Sequence, residues 1–155
     1  MTDNPEKTAG GCLCGAVRYE AKGKPLLVGH CHCETCRRHT GAPMVTFVAF
    51  EGRNVRFPDR ERSIYKSSPE AKRAFCNLCG TPLTWEGKFK GCDIIEFHIS
   101  TTDDPNSYKP DLHWHHGEKL SWFECLDELP RYKASNAAAE PYAFGPVTES
   151  SSKES

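Results

Sequence analysis

The 155-residue sequence has no long hydrophobic run and almost no excess charge of either sign. Its longest nearly apolar stretch, residues 44–50, is interrupted by Thr46, whereas a membrane-spanning helix needs about 20 apolar residues. The 20 lysines and arginines balance 21 aspartates and glutamates, so we expect no nucleic-acid partner. The opening residues, MTDNPEKTAGG, have neither a basic start nor an apolar stretch. They predict no secretory signal, and we expect a cytoplasmic protein without membrane association.

Sustained helical periodicity is also missing from the sequence. Short runs rich in β-branched and aromatic residues are separated by Gly, Pro, Asn and Asp, and VRYEA and IIEFHIS alternate with a period of two. The runs lie at 16–20, 26–30, 44–50, 54–57, 63–66, 72–75, 82–86, 94–100 and 112–116. They predict a mainly β single domain of short antiparallel strands over residues 10–133, with one helical turn after Cys33. Residues 1–10 are expected to form a frayed lead-in, and 134–155 a flexible tail.

Cysteine, in contrast, is abundant. The chain has nine cysteines, an odd number and a density below the roughly 8–10% of disulfide scaffolds. In a reducing cytosol, closely spaced cysteines bind metal more often than they form disulfides. Seven of the nine fall into three clusters: Cys12-Leu13-Cys14, Cys31-His32-Cys33-Glu34-Thr35-Cys36 and Cys76-Asn77-Leu78-Cys79. Zinc is therefore the expected cofactor.

The first and third clusters have the spacing of two halves of one zinc site. Cys-x-Cys in an extended chain presents both sulfurs to one face, and Cys-x-x-Cys does so through a tight turn. Cys14 and Cys79 are each followed by glycine, whose freedom to adopt positive φ can turn backbone amides toward the thiolates. We predict a closed, structural zinc site made of Cys12, Cys14, Cys76 and Cys79.

The middle cluster differs because it offers only three cysteines, Cys31, Cys33 and Cys36, and runs directly into Arg37-Arg38. Three protein ligands leave one position on zinc for water or a substrate atom, which is typical of a reactive site. The two arginines would favour an anionic ligand nearby, although they fit a solvated turn equally well. We predict a second, open zinc here, and hence two zinc ions per chain.

Other interpretations of the middle cluster stay open. It could be a second closed site completed by His39, His30 or a distant ligand, because shells of three cysteines and one histidine are common. It could also form a redox disulfide, although the chain shows no thioredoxin-like βαβ pattern.

The remaining cysteines and the histidine-rich run are interpreted as parts of the core. Cys92 and Cys125 are isolated, which favours single buried thiols. In the run HWHH, strand alternation would place His113 and His115 on one face and Trp114 and His116 on the other. A strand with its tryptophan in the core is favoured there, and a metal or substrate role for one histidine stays open.

Three segments resemble the glutathione-dependent formaldehyde-activating enzyme family, also called the CENP-V/GFA-type domain. They are GGCLCGAVRYE, CHCETCRRHTGAP and FCNLCGTPL. The resemblance extends over roughly residues 10–132 and includes the closing stretch that ends in DELPRY. The order Cys-x-Cys, Cys-x-Cys-x-x-Cys, Cys-x-x-Cys-Gly is specific. Cys125 departs from the pattern, since an apolar residue is expected there.

The resemblance implies a mainly β "β-tent" zinc fold, with the structural zinc on the four cysteines and the catalytic zinc on Cys31, Cys33 and Cys36. It implies a carbon–sulfur lyase that joins a thiol such as glutathione to a small aldehyde, giving S-hydroxymethylglutathione from formaldehyde. It identifies no residue that contacts glutathione. The alternative is a non-catalytic zinc module that binds glutathione or a protein partner.

Overall fold

The computed structural model describes residues 5–135 and 139–147. In this part of the chain short strands predominate and a single α-helix occurs, so the prediction of a mainly β domain is confirmed. The strands are β1 (Lys7–Gly11), β2 (Arg18–Lys22), β3 (Leu27–Cys31), β4 (Val45–Glu51), β5 (Val55–Arg56), β6 (Ser63–Ser68), β7 (Ala71–Phe75), β8 (Pro82–Phe89), β9 (Cys92–His98), β10 (Leu112–Trp114), β11 (Pro130–Arg131) and β12 (Ala143–Phe144). Helix α1 spans Glu34–Thr40, and 3-10 turns occupy Gly52–Asn54, Ile99–Thr101, Pro105–Ser107 and His116–Glu118.

The residues of this domain fall into two compact units that are interleaved along the sequence. The first unit takes the described residues within Met1–Val28 and Thr46–Lys109, and the second takes those within Gly29–Val45 and Pro110–Ser155. The four-cysteine group lies in the first unit, and Cys31, Cys33 and Cys36 lie in the second.

The first unit is built from antiparallel strands around an aromatic core. Strands β1, β2 and β5 form a three-stranded sheet, and a second group of strands runs in the order β4–β9–β8–β7–β6. The core consists of Cys12, Val17, Tyr19, Ala21, Val28, Val48, Phe50, Ala74, Cys76, Leu83, Ile95, Phe97 and Tyr108. Two of the candidate metal ligands, Cys12 and Cys76, are thus part of the core.

Strand β1 occupies part of the segment that was expected to be a frayed lead-in. It pairs along its whole length with β2, from Lys7 opposite Lys22 to Gly11 opposite Arg18. Thr8 is buried, and its hydroxyl contacts that of Tyr108. The sequence of Lys7–Gly11 shows no apolar alternation. The strand therefore forms because it pairs with β2, and its own sequence does not indicate it.

Gly10 permits a close approach of β1 to the buried ring of Tyr19. It lies opposite Tyr19, whose ring stacks on Phe97 at 3.7 Å and whose hydroxyl contacts the Thr101 hydroxyl at 2.8 Å. A Cβ atom on Gly10 would lie 2.3 Å from the Tyr19 hydroxyl oxygen and 2.4 Å from the Thr101 carbonyl oxygen. Tyr19 is fully buried and cannot move aside easily.

Substitution of Gly10 therefore tests the packing of the first unit. We expect Gly10→Ala to lower the free energy of unfolding by about 2 kcal/mol or more, because the added methyl group overpacks a buried ring and a backbone carbonyl. Gly52→Ala is the control, since its Cβ would meet its nearest neighbour at an ordinary 3.5 Å. Chemical denaturation of both variants makes the comparison, and equal stabilities would contradict it.

The second unit joins β3 to strands near the end of the chain. Strand β10 runs parallel to β3 and to β11, and β11 is antiparallel to β12. The register places His113 beside His30 and Trp114 beside Cys31. Part of the predicted flexible tail differs from expectation, because β12 pairs with β11. Residues 136–138 and 148–155 of that predicted tail lie outside the described residues, and the boundary at 133 stays a prediction.

Candidate metal centres

The sequence prediction that four cysteines converge is matched by their placement. The sulfurs of Cys12, Cys14, Cys76 and Cys79 all lie within 4.8 Å of one another. The Cys12 and Cys14 sulfurs are 3.6 Å apart, and the Cys14 and Cys76 sulfurs are 3.9 Å apart. This is the donor set of a tetrahedral structural zinc site.

Two similar turns prepare these sulfurs for a cation. Gly15 and Gly80 both adopt φ of 79°, as their position after a cysteine suggested. Behind each turn a backbone amide donates to sulfur: Val17 to Cys12 at 3.2 Å, and Leu78 to Cys76 at 3.4 Å. Such amide donors stabilise thiolate over thiol.

The thiols of this group cannot all ionise together without a positive ion. The Thr81 hydroxyl is the main cause that lowers the pKa of Cys79 to about 5. The Ala16 amide lowers the pKa of Cys14, but the neighbouring thiols, Cys12 first, raise it to about 11. Four sulfur ligands in one closed group fit zinc and leave no position for chemistry.

The three cysteines of the middle cluster also converge, at the junction of β3 and α1. Their sulfurs lie within 4.8 Å of one another, and all three residues are buried. Cys33 caps the N-terminus of the helix, since its sulfur accepts from the Cys36 amide at 3.3 Å. Gly41, with φ of 69°, ends the helix after two turns. The first turn of the helix therefore brings the Cys36 sulfur to the same side as the Cys33 sulfur.

Proton sharing within this trio favours one thiolate. Hydrogen bonds from Cys31 and then Cys36 lower the pKa of Cys33, and the same contacts raise the pKa of Cys31. Within residues 5–135 and 139–147, no fourth histidine, cysteine or carboxylate joins the group. His30, which could have closed the shell, belongs instead to a group with His113 and Asp127. The three cysteines could therefore hold a metal ion, and an open position on that ion stays a prediction.

The two arginines after this cluster have different surroundings. Arg37 donates to the carbonyls of His32 at 3.1 Å and Glu118 at 3.2 Å, which fixes it to the backbone. Arg38 forms an exposed ion pair with Glu34 at 2.8 Å. Both arginines line an open groove of about 440 Å³, together with Glu34, Gly41, Ala42, Pro43, Leu120 and Trp122.

The histidine-rich run does not alternate as expected. His115 has φ of 52°, a left-handed conformation that ends β10 at Trp114. The strand therefore fails to reach His116, and the turn buries His116 as well as His113. The expectation that the two would lie on opposite faces of one strand is wrong for this reason.

The buried imidazoles are linked to two carboxylates. His113 Nε2 contacts the Asp127 carboxylate at 3.1 Å, and His113 Nδ1 contacts His32 Nε2 at 2.8 Å. His116 Nε2 contacts Glu124 at 3.1 Å, and its Nδ1 contacts the Tyr142 hydroxyl. Burial lowers the pKa of both His113 and His116, so both imidazoles are held neutral.

One arginine joins the two branches. Arg131 is completely buried and donates to Asp127 at 2.8 Å and Glu124 at 3.3 Å. It also donates to the carbonyls of Cys125 at 2.8 Å and Leu129 at 2.7 Å. These bonds hold residues 124–129 in place, a segment that belongs to no strand.

Comparisons with known proteins show the family to which the chain belongs. The sequence model of the glutathione-dependent formaldehyde-activating enzyme family matches residues 7–118. The chain belongs to this family. An uncharacterized lyase of Schizosaccharomyces pombe is 33% identical over 113 residues, which are 64% of this chain and 82% of that protein.

A solved structure shows a similar fold. A Rhodobacter sphaeroides protein superposes with a TM-score of 0.50 at 22% identity, covering 61% of this chain and 87% of the other. No helix of the described residues is long and apolar enough to cross a bilayer.

Sequence reasoning missed several residues of the second unit. Glu124 and Asp127 lie in an irregular stretch without periodicity, and Arg131 lies in the two-residue strand β11. The only sequence signal that covers these three residues is the family's closing segment. The two isolated cysteines also differ from the expected core thiols. Cys92 is exposed at the start of β9, and half-buried Cys125 contacts the Met44 sulfur at 3.7 Å.

Replacement of a four-cysteine ligand should unfold the first unit. We expect Cys76→Ser to lose one zinc per chain and most of its cooperative thermal unfolding, because structural zinc supplies folding free energy directly. Cys92→Ser should keep its zinc and change stability by less than about 0.5 kcal/mol, as for other exposed positions. Elemental analysis and thermal melts test the pair, and equivalent behaviour would refute the assignment of ligands.

Substitution of Glu124 tests the buried network. Burial raises the pKa of Glu124. The hydrogen bonds from His116 and the Val147 amide, together with nearby positive charge, outweigh burial and lower this pKa to about 2. The carboxylate therefore stabilises the fold fully above about pH 4.5 and loses that contribution as the pH falls toward 2. We expect Glu124→Gln to cost about 3 kcal/mol near pH 7, a difference that shrinks as the pH falls from about 4.5 toward 2.

Glu118→Gln is the matched control, because Glu118 pairs with His115 at the surface. An exposed pair of this kind contributes less than about 1 kcal/mol. Equal losses in urea denaturation of the two variants would show that the buried network does not stabilise the unit.

Proposed function

We propose that this protein is a zinc-dependent carbon–sulfur lyase that joins a small thiol such as glutathione to a small aldehyde such as formaldehyde, and reverses the same reaction. The observation that carries the proposal is the trio of buried cysteine sulfurs with no fourth ligand among the described residues. The family description and the lyase name of the fission-yeast relative support it.

The cysteine side chains determine which group could be held here. Three sulfurs at mutual contact distance match the ligands of a catalytic zinc, and the other four match a structural one. When bound by three thiolates, zinc offers an open position and makes a thiol that occupies it more acidic. The Cys36 amide and the Thr35 hydroxyl, both 3.3 Å from Cys33 sulfur, stabilise negative charge on the protein's own ligand.

The chemistry requires no further reactant. The thiol sulfur bonds to the carbonyl carbon, the carbonyl π bond breaks, and the thiol proton ends on the former carbonyl oxygen. The product is a hemithioacetal, and the reverse reaction returns thiol and aldehyde. The task of the chain is thus to bind the thiol, keep its sulfur near the cysteine trio and orient the aldehyde.

The groove beside α1 is the candidate site for the remainder of such a thiol. Glutathione carries two carboxylates and one ammonium group, and the groove has Arg38 and Glu34 on its wall. Both side chains of this ion pair are exposed, so the pair contributes little to stability. Each side chain can therefore pair with a substrate charge instead. Trp122 and Leu120 offer apolar surface beside them. Arg37 is fixed by backbone carbonyls and supports the wall.

Replacement of Cys33 tests the proposal. We expect Cys33→Ser to stay folded by circular dichroism, to keep the zinc of the four-cysteine site and to lose the second zinc. The variant should also lose acceleration of exchange between glutathione and ¹³C-formaldehyde, measured by NMR exchange spectroscopy above the uncatalysed rate. Cys92→Ser is the control and should exchange like the unsubstituted protein.

Two outcomes would contradict this function. Undiminished exchange after loss of the second zinc would show that the trio is not catalytic. Glutathione binding without acceleration in the unsubstituted, zinc-loaded protein would favour the non-catalytic binding module.

A further inference from the structure

We propose that His30, His113 and Asp127 form a third metal site, which binds a divalent first-row transition ion. One donor atom from each residue lies within 4.8 Å of the other two. The site is separate from both cysteine groups, and its existence does not depend on the proposed lyase activity.

Strand register brings the two histidines together. His113 in β10 lies directly beside His30 in the parallel strand β3, and their ring centroids are 4.7 Å apart. Adjacent residues on neighbouring strands point their side chains to the same face of the sheet. The backbone therefore presents two imidazoles as a pair before any ion binds.

Asp127 completes the group with a carboxylate whose two oxygens have different surroundings. Its Oδ1 accepts from Arg131 at 2.8 Å and from the Leu129 amide at 3.0 Å. Both oxygens lie close to His113 Nε2, Oδ2 at 3.1 Å and Oδ1 at 3.2 Å. Arg131 and Leu129 thus orient the carboxylate through Oδ1, and Oδ2 is the oxygen that faces the imidazole without a bond from either of them. That 3.1 Å separation is close to the spacing of adjacent ligands around an ion with bonds of about 2.1 Å.

His113 also has the outer support that metal-binding histidines have. Its second ring nitrogen, Nδ1, lies 2.8 Å from Nε2 of buried His32. A hydrogen bond at the distal nitrogen fixes the ring orientation and strengthens the nitrogen that faces the metal. His113 is completely buried, so its ring has little freedom to turn away.

Charge in this region favours a cation. Two carboxylates, Asp127 and Glu124, face a single buried guanidinium, that of Arg131. The carboxylates of this network therefore outnumber its guanidinium by one. The Asp127 side chain is 31% exposed, which gives an ion a route from solvent.

The donor set predicts which ions bind. Two imidazoles and one carboxylate suit zinc, cobalt, nickel and iron(II), whereas thiolate groups select softer ions. With three protein ligands the site keeps open positions. We expect it to bind more weakly than the cysteine groups and to lose its ion on dialysis.

Cobalt(II) titration of the full chain tests the site. After loading with zinc and dialysis against a weak chelator, the protein should bind one further equivalent of cobalt. The bound ion should show ligand-field bands without the intense thiolate charge-transfer band, and zinc should stay on the protein. Calorimetry gives the affinity.

Three variants complete the experiment. His30→Asn and Asp127→Asn should each weaken cobalt binding more than tenfold while zinc content is unchanged. His115→Asn, in the same histidine-rich run, should bind cobalt like the unsubstituted protein. His30 is only half-buried, so its variant remains informative if loss of the Asp127 charge destabilises the network around Arg131.

The proposal is overturned if no further equivalent binds, or if cobalt binds with thiolate charge transfer and displaces zinc. It is also overturned if His30→Asn binds as tightly as the unsubstituted protein, or if His115→Asn weakens binding equally.

Discussion

Sulfur atoms that converge in a folded protein need either protons or a cation between them, and this requirement organises both halves of the chain. In the first unit, four sulfurs converge beside the aromatic core, and two of the four cysteines, Cys12 and Cys76, are members of that core. In the second, three sulfurs surround the first turn of the short helix α1. Amide-to-sulfur hydrogen bonds in both places favour the ionised form. The backbone is thus already arranged for metal before any ion enters.

The second unit depends additionally on a network of charge that no sheet provides. Its strands are two or three residues long apart from β3, and sheets of this size are weak by themselves. Arg131 adds to this short backbone pairing by joining two carboxylates and three carbonyls. Residues 142–147 take part, since the Tyr142 hydroxyl contacts His116 and the Val147 amide donates to Glu124 at 3.0 Å.

The sequence carried enough information for features that depend on local pattern. Every run predicted from β-branched and aromatic residues between turn residues lies close to an observed strand, β2 to β10. Cysteine spacing predicted which sulfurs converge. The sequence pattern could not locate β1, whose pairing depends on the fit of Gly10 against Tyr19. The burial of His116 could not be predicted either, because it depends on the left-handed backbone conformation of His115, which no local sequence pattern indicates. The partners of Arg131 come from an irregular segment, where neither periodicity nor spacing indicates contacts.

The four-cysteine group has a consequence for the unfolded chain as well as for the folded one. Cys14 and Cys76 are 62 residues apart. Each half of the group is a local turn with two sulfurs, which can bind an ion without the other half. An ion shared by both halves closes a loop of that length, as a disulfide would. Such a crosslink removes conformational entropy from the denatured ensemble, on the order of 4 kcal/mol at this loop length. A chain that unfolds without releasing its ion therefore stays a closed ring, and refolds from fewer conformations than one made in the absence of metal.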